Sequence, residues 1–310
     1  MNKPPVICLM GPTASGKTSV AMRLAEELPV DVVSVDSALV YRGMDIGTAK
    51  PDADMLAEVP HQLIDICEPE ETYSAGAFVR DAVAAIDGIH GAGRIPLLAG
   101  GTMMYFRALT QGIAPLPAAD PAIRAALDAE AQRDGWPALH QQLASVDSAA
   151  AARIADTDSQ RIQRALEVFR ISGKPLSELQ RETLQPARYN FIRVALMPPE
   201  RAILHQRIAE RLNQMMAAGF LDEVRLLRER PGLTADSTSM RSVGYRQLWA
   251  HLEGETDYRT AAERALFATR QLAKRQITWL RTEPVINCFD PLEAGAIDTI
   301  LSVLREKLGE

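Results

Sequence analysis

A phosphate-binding pattern lies near the N-terminus, where G-x-x-x-x-G-K-[ST] is matched by Gly11-Pro12-Thr13-Ala14-Ser15-Gly16-Lys17-Thr18. Glycines let such a loop curl so that successive N–H groups point inward, Lys17 brings a positive charge, and the Thr18 hydroxyl can ligate Mg²⁺. The apolar run Val6–Met10 predicts a strand before the loop, and Thr18–Leu28 has helical spacing, so the positive helix end faces the anion. The alternative is a glycine-rich turn with a solvated lysine. We predict a site for a diphosphate or triphosphate.

Two further polar residues follow predicted strands. Asp36 comes directly after a strand that ends at Val35, at the carboxyl edge where open α/β sheets bind ligands, and could take a proton from an attacking nucleophile. A turn former or helix N-cap is the alternative. Thr102 either caps the helix Met103–Thr110 or donates to a leaving-group oxygen. We predict Asp36, Thr102 and Lys17 as the catalytic group, because two donors aimed at developing charge act together.

Basic residues are unevenly spread. The whole chain has a net charge of −6, whereas Arg241–Arg281 holds eight basic and four acidic residues. Gln160, Arg161 and Arg164 share one helix face, opposite an apolar stripe formed by Ile162, Ala165, Leu166 and Phe169. These faces are either solvated or bind RNA, and Tyr245 is either a stacking platform or a core residue.

Composition limits the class of protein. The 310 residues are 47% hydrophobic, enough for one large core or two smaller ones. Because no apolar run approaches the roughly 18–20 residues of a membrane span and no signal-peptide core is present, we expect a cytoplasmic protein without membrane contact. Cys8, Cys67 and Cys288 are scattered, so we expect reduced thiols rather than disulfides or a zinc site.

The elements that position these residues follow a βαβα rhythm. Strand patterns at 30–35, 62–66 and 95–99 alternate with helical patterns at 18–28 and 75–90, which is typical of a parallel sheet covered by helices. Prolines between 115 and 121 mark a boundary, after which short helices are predicted at 121–133, 136–145 and 158–172, the last capped by Asp158 and stopped by Gly173. A strand at 189–197, helices at 200–230 and 260–281, and a strand at 285–289 follow. We predict a P-loop NTPase-like α/β core, 1–118 with 189–310, and an all-helical insertion, 119–188.

Together these residues resemble a known family. The quoted motifs, the blocks Asp36–Pro51 and Gly100–Thr102, and the segments Arg241–Gln247 and Thr269–Gln276 closely resemble bacterial tRNA dimethylallyltransferases, from about Ile7 to Arg281. Some members have Gly-Leu where this chain has Met103-Met104. The resemblance implies transfer of a dimethylallyl group from its diphosphate to the exocyclic amine (N6) of adenosine 37, 3′ of the tRNA anticodon.

The resemblance also implies roles for single residues. Asp36 would be the base for a target adenine extruded from the anticodon loop, while Lys17, the loop amides, Mg²⁺ on Thr18 and Thr102 would neutralise the departing pyrophosphate. The expected partners are dimethylallyl diphosphate and the anticodon stem-loop, and the expected state is a monomer. The tRNA contacts implied are Asp36, Ser37, Ala38, Leu39, Thr102, Arg124, Gln160, Arg161, Ile162, Gln163, Arg164, Arg241, Ser242, Val243, Gly244, Tyr245 and Arg246.

Two other functions fit parts of this pattern. A small-molecule kinase also combines a P-loop with a carboxylate after the second strand, although a small metabolite gives no reason for a basic helical insertion. An NTP-switched RNA-binding protein would explain the basic residues without transferase chemistry. Both alternatives predict ATP hydrolysis and no gain of mass on tRNA.

Overall fold

A parallel β-sheet forms the centre of the larger part of the molecule. The computed structural model describes residues 3–114, 116–181, 188–283 and 286–309. Within these ranges, six strands pair in the order β3-β2-β4-β1-β5-β6, all parallel. The strands are β1 (Pro5–Met10), β2 (Val30–Val35), β3 (His61–Gln62), β4 (Ile95–Gly100), β5 (Asn190–Leu196) and β6 (Asn287–Phe289).

Helices cover both faces of this sheet. Alternate residues of β1 point to opposite faces: Val6, Cys8 and Met10 join one buried cluster, and Ile7 and Leu9 join another. A fully buried side chain of this size contributes about 1.5–3 kcal/mol. Over the whole described chain, including the part that lies outside this sheet unit, the helices are α1 (Lys17–Glu27), α2 (Ala53–Glu58), α3 (Ala75–Gly91), α4 (Met103–Gln111), α5 (Pro121–Asp134), α6 (Trp136–Val146), α7 (Ser148–Ala151), α8 (Ser159–Ser172), α9 (Leu176–Arg181), α10 (Arg201–Ala217), α11 (Phe220–Arg228), α12 (Tyr245–Leu252), α13 (Tyr258–Leu280) and α14 (Ala296–Leu308).

The predicted fold class is confirmed. A strand-loop-helix unit opens the chain, β1 lies centrally between β4 and β5, and the sheet is parallel throughout the described ranges. None of the helices that these ranges contain is long and apolar enough to cross a bilayer.

The chain divides into two compact units, Met1–Thr110 with Arg188–Glu310, and Gln111–Ala187. The sequence predicts the insertion at 119–188, whereas the compact unit spans Gln111–Ala187. Residues 182–187 and Pro115 of the predicted boundary lie outside the described residues. In the second unit, α5, α6, α8 and α9 enclose their own apolar cluster, which includes Leu127, Leu139, Leu143 and Leu166. The Asp158 carboxylate accepts from the Arg161 amide, and Gly173 ends α8 with φ +69°. Both predicted ends of this helix are confirmed.

Two predicted elements differ from the structure. The predicted strand 62–66 is only His61–Gln62, because Leu63 and Asp65 have positive φ angles that carry the chain away from the sheet. The single helix predicted over 200–230 is two helices, because Gly219, with φ +97°, turns the chain between α10 and α11. The last predicted strand begins at Val285, outside the described residues, and is observed at Asn287–Phe289.

Candidate phosphate and nucleophile site

The phosphate loop joins the end of β1 to the start of α1. Its conformation needs Ala14 at φ +62° and Gly16 at φ +92°, and the Ser15 amide donates to the Pro12 carbonyl over 3.2 Å. A Cβ atom on Gly11 would lie 2.6 Å from Ser15 Oγ and 3.0 Å from the Leu196 carbonyl oxygen, so a side chain there would force a shift. Packing therefore explains the glycine, and the loop places backbone amides at a helix N-terminus, where anions bind.

Lys17 is held inside this loop. Its Nζ donates to the carbonyl oxygens of Gly11 (3.0 Å) and Pro12 (2.8 Å). The pKa of Lys17 is lowered to about 8, mainly by burial and also by the positive charge of Arg211, while the carboxylate of Asp36 opposes both effects. A phosphate group would compensate the charge of this amine.

Sequence reasoning missed two arginines of α10 at this site. Arg207 Nε donates to the Ala14 carbonyl over 2.9 Å, and Arg211 Nη2 donates to the Thr48 carbonyl over 3.2 Å. Burial lowers the pKa of Arg211, and Asp36 opposes that change. The i,i+4 spacing shows that both side chains lie on one helix face, but nothing in the sequence indicates that this face packs on the phosphate loop.

Asp36 and Thr102 lie at one edge of the sheet. Because β2 and β4 are neighbours, with Val35 opposite Gly100, the residues that follow them come together. The Ser37 amide donates to Thr102 Oγ1 over 3.0 Å, and Thr102 Oγ1 lies 3.3 Å from Ser37 Oγ. The Thr102 hydroxyl thus ties the two strand ends together, and the Thr102 carbonyl accepts from the Tyr105 and Phe106 amides at the start of α4.

The turn alternative for Asp36 is confirmed. Asp36 Oδ1 accepts from the Ala38 amide over 2.9 Å, which forms an Asx turn. The negative charge of Asp36 also acts to raise the pKa of Lys17 and of Arg211. A carboxylate with this turn and these neighbours can accept a proton next to an anion site.

Gln276 of α13 connects the phosphate loop to the end of β4. Its Oε1 accepts from the Thr13 amide over 2.9 Å, and its Nε2 donates to the Gly101 carbonyl over 2.8 Å. The side chain is buried, and a Cβ on Gly101 would lie 2.5 Å from Nε2. Gln276 belongs to the segment Thr269–Gln276 that resembles the family, but nothing in the sequence indicates that it bonds to the phosphate loop.

Two residues predicted to contact tRNA are core residues. Tyr245 and Ile162 are both 0% exposed: Tyr245, the first residue of α12, belongs to a cluster with residues of α11, and Ile162 lies within the second unit. The prediction of RNA contact is wrong for these side chains, because apolar packing covers them. Their neighbours Arg241, Arg246, Gln160 and Arg161 are exposed.

Arg124 and Arg164 are tied to a buried carboxylate in the second unit. Glu167 is 0% exposed and accepts from Arg124 Nε (2.8 Å), Arg164 Nη1 (2.5 Å) and the Asp120 amide (2.9 Å). These bonds hold the pKa of Glu167 below its usual value despite burial. Both arginines therefore have a structural role, whatever they contribute to RNA binding.

We expect Arg164→Ala to lower the free energy of unfolding by about 1–3 kcal/mol, because it removes a partner of a buried carboxylate. The matched control is Arg161→Ala on the same helix, whose exposed side chain should contribute less than about 0.5 kcal/mol. Urea denaturation measures both. Equal stability of the two variants would show that Arg164 is dispensable to the fold. Any loss of tRNA affinity in Arg164→Ala would then be explained by a lost direct contact with tRNA.

Comparison with known proteins identifies the family. The model described as IPP transferase matches residues 39–283, and the one described as isopentenyl transferase matches residues 4–67. A tRNA dimethylallyltransferase of Burkholderia ambifaria is 58% identical over 98% of this chain and 96% of its own, and one of Burkholderia cenocepacia is 57% identical over 96% and 95%.

Solved structures agree with this match. The tRNA isopentenylpyrophosphate transferase of Bacillus halodurans is 35% identical with a TM-score of 0.72, covering 99% of this chain and 96% of that one. The enzyme of Staphylococcus epidermidis is 30% identical with a TM-score of 0.71, covering 98% and 100%. A eukaryotic dimethylallyltransferase that acts on tRNA shares the fold, with a TM-score of 0.79 at 24% identity over 97% and 77%. The chain therefore belongs to the IPP transferase family.

Proposed function

We propose that this chain transfers the dimethylallyl group of dimethylallyl diphosphate to N6 of adenosine 37 in tRNA. The observation that carries the proposal is the placement, at one sheet edge, of an anion loop with Lys17, Arg207 and Arg211 beside the pair Asp36 and Thr102. Family membership, with relatives named for this reaction, supports it. Because tRNA is the acceptor, we place the reaction in the cytoplasm.

The proposed chemistry divides between donor and acceptor. A bond forms between N6 of adenine and C1 of the dimethylallyl group, the C1–O bond breaks, and the electron pair leaves with pyrophosphate. The adenine amine is a weak nucleophile, since its lone pair is delocalised into the ring. Asp36 accepts the N6 proton, and Lys17, Arg207, Arg211 and the loop amides stabilise the charge that develops on pyrophosphate.

Magnesium fits this site as a partner of the donor. Thr18 is the second residue of α1 and is exposed, and hydroxyl, phosphate and water oxygens are the ligands that Mg²⁺ accepts. The buried Ser15 Oγ has no hydrogen-bond partner among the described residues, so the loop retains an unused polar group that can face an anion or its hydrated cation. When bound, Mg²⁺ would supply charge neutralisation for the leaving group.

We propose that exposed arginines hold the tRNA. Arg241, Arg246 and Arg161 are exposed and suit phosphate contacts, which position RNA without reading its sequence. Reaching Asp36 requires the base to leave its loop, at a cost of a few kcal/mol that is smallest for an unpaired base. We expect one protein chain to act on one anticodon stem-loop.

The test is a mass measurement without ATP. Purified full-length protein, tRNA, Mg²⁺ and dimethylallyl diphosphate are expected to add one five-carbon unit to a single adenosine. A transcript with guanosine at position 37 is the control and should remain unmodified. An unchanged tRNA mass together with ATP hydrolysis would overturn the proposal and favour a kinase or an NTP-switched RNA-binding protein.

A further inference from the structure

Three consecutive backbone amides donate hydrogen bonds to one carboxylate, that of Glu223 on α11. Glu223 Oε2 accepts from the amides of Asp45 (2.9 Å) and Ile46 (2.7 Å), and Oε1 accepts from the amide of Gly47 (3.1 Å). The Tyr245 hydroxyl also donates to Oε1, over 2.5 Å. The two oxygens of a carboxylate have about four lone-pair sites, so this one side chain can accept from all four donors.

The same segment, Asp45–Thr48, lies directly against two aromatic rings. A Cβ on Gly47 would be 2.0 Å from Phe220 Cε2 and 2.7 Å from Tyr245 Cε2, so only glycine fits there. The two rings meet edge to face, 4.9 Å apart, and each is almost fully buried. Packing and hydrogen bonding therefore dock this segment onto α11 and α12 together.

The segment continues into the phosphate site. The Thr48 carbonyl accepts from Arg211 Nη2 over 3.2 Å, which among the described residues is the one hydrogen bond of the Arg211 side chain. Lys50 closes the turn behind it, donating to the Tyr41 carbonyl (2.9 Å) and to carboxylates of Asp45 and Asp65 (2.5 Å each). The position of Arg211 thus depends on a segment whose amides depend on Glu223.

We propose that Glu223 is a positioning residue for the donor diphosphate. By fixing Asp45–Thr48, its carboxylate holds the carbonyl that directs the Arg211 guanidinium toward the phosphate loop. This inference rests on the proposed function, since it takes the phosphate loop as the site of the donor diphosphate. Tyr245 lies within the predicted tRNA-binding segment 241–246, and its hydroxyl donates to Glu223. The inference therefore connects this segment to the residue that positions the donor site.

The test compares Glu223→Gln with Glu229→Gln in the full-length protein. Glutamine keeps the volume of glutamate but turns an NH₂ group toward backbone amides, whereas Glu229 is an exposed residue at the end of the same helix. Inorganic pyrophosphate, titrated calorimetrically without tRNA, is the probe. Glu223→Gln should weaken pyrophosphate binding roughly tenfold or more, as expected for a displaced charge-assisted contact, and Glu229→Gln should not change it.

A double-mutant cycle separates positioning from general loss of structure. In an Arg211→Ala background, Glu223→Gln should weaken pyrophosphate binding less than about twofold further, because the two residues act through one contact. In steady-state assays, Glu223→Gln should raise KM for dimethylallyl diphosphate and leave KM for tRNA unchanged. Fully additive effects, or equal pyrophosphate affinity in Glu223→Gln and Glu229→Gln, would overturn the inference.

The result for Glu223 can be separated both from misfolding of the variant and from failure of the proposed function. If Glu223→Gln does not fold, Tyr245→Phe decides: it removes one of the four donors, and unchanged pyrophosphate affinity in this variant overturns the inference while weaker binding supports it. If the wild type binds pyrophosphate but does not modify tRNA, the proposed function fails and the pyrophosphate comparison still stands. A wild type without pyrophosphate affinity overturns the inference too.

Discussion

The substitution Asp36→Asn is expected to lower the rate of dimethylallyl transfer by about 10²–10⁴-fold, the usual value of a well-placed general base, while tRNA binding is retained. Asparagine keeps an oxygen that can accept from the Ala38 amide, so the Asx turn survives. What it loses is the ability to take the N6 proton. Single-turnover rates with saturating donor measure this loss, and a filter-binding assay measures the affinity for tRNA.

The matched control for this variant is Asp31→Asn. Asp31 lies near the start of β2, whereas Asp36 follows the end of this strand. Asp31 forms an ion pair with Arg94 over 2.7 Å, so Asp31→Asn makes the same chemical change away from the site. Asp36→Ala should lose at least as much activity as Asp36→Asn, because it also removes the turn. An Asp36→Asn variant with wild-type turnover would remove this residue from the mechanism.

The second large effect is expected at Lys17. Lys17→Ala should reduce turnover by about 10²–10³-fold, the cost of losing one donor to charge that develops in the transition state. Affinity for pyrophosphate should fall as well, since the same amine faces the bound anion. Lys3→Ala is the control, because it removes the same charge from an exposed position before β1.

The pH dependence gives this prediction a second measurement. The pKa of Lys17 in the ligand-free protein is about 8. Because the protonated amine binds phosphate better than the neutral amine does, a bound phosphate would raise this pKa. The part of the pyrophosphate affinity that depends on Lys17 should therefore be constant below pH 8 and fall as the pH rises above it, by at most about tenfold per pH unit, in addition to any change caused by ionisation of pyrophosphate itself. Lys17→Ala should lack this decline. The same decline in both proteins would assign it to another group.

Part of this protein is readable from local sequence. The phosphate loop, its strand and its helix are contiguous, and a loop whose ligands are its own amides needs no distant residue to be recognised. The predicted strands 30–35 and 95–99 are confirmed to within one residue because buried parallel strands are continuous apolar runs. The strand predicted at 62–66 failed, since positive φ angles at Leu63 and Asp65 are set by the surrounding fold rather than by residue type.

Burial of the predicted RNA residues was decided by packing. Tyr245 and Arg246 are neighbours in a basic segment, yet one lies in the core and the other is exposed, because α12 buries one face on α11. Arg124 was predicted from the family resemblance, and Arg164 from its place on a polar helix face and from the resemblance; the charge that both meet in the structure is Glu167. A helical pattern shows which residues share a face, but not what that face meets.

The sequence by itself determined the kind of chemistry: a loop for a diphosphate, a carboxylate and a threonine at the edge of a parallel sheet, and the family. Only the tertiary structure decided how these groups are held. Gln276 reaches the phosphate loop across 263 residues, Arg207 across 193, and Glu223 reaches Ile46 across 177. The residues of a motif are adjacent in the sequence and can be recognised there. The contacts that orient their side chains come from distant helices, whose packing depends on the whole core.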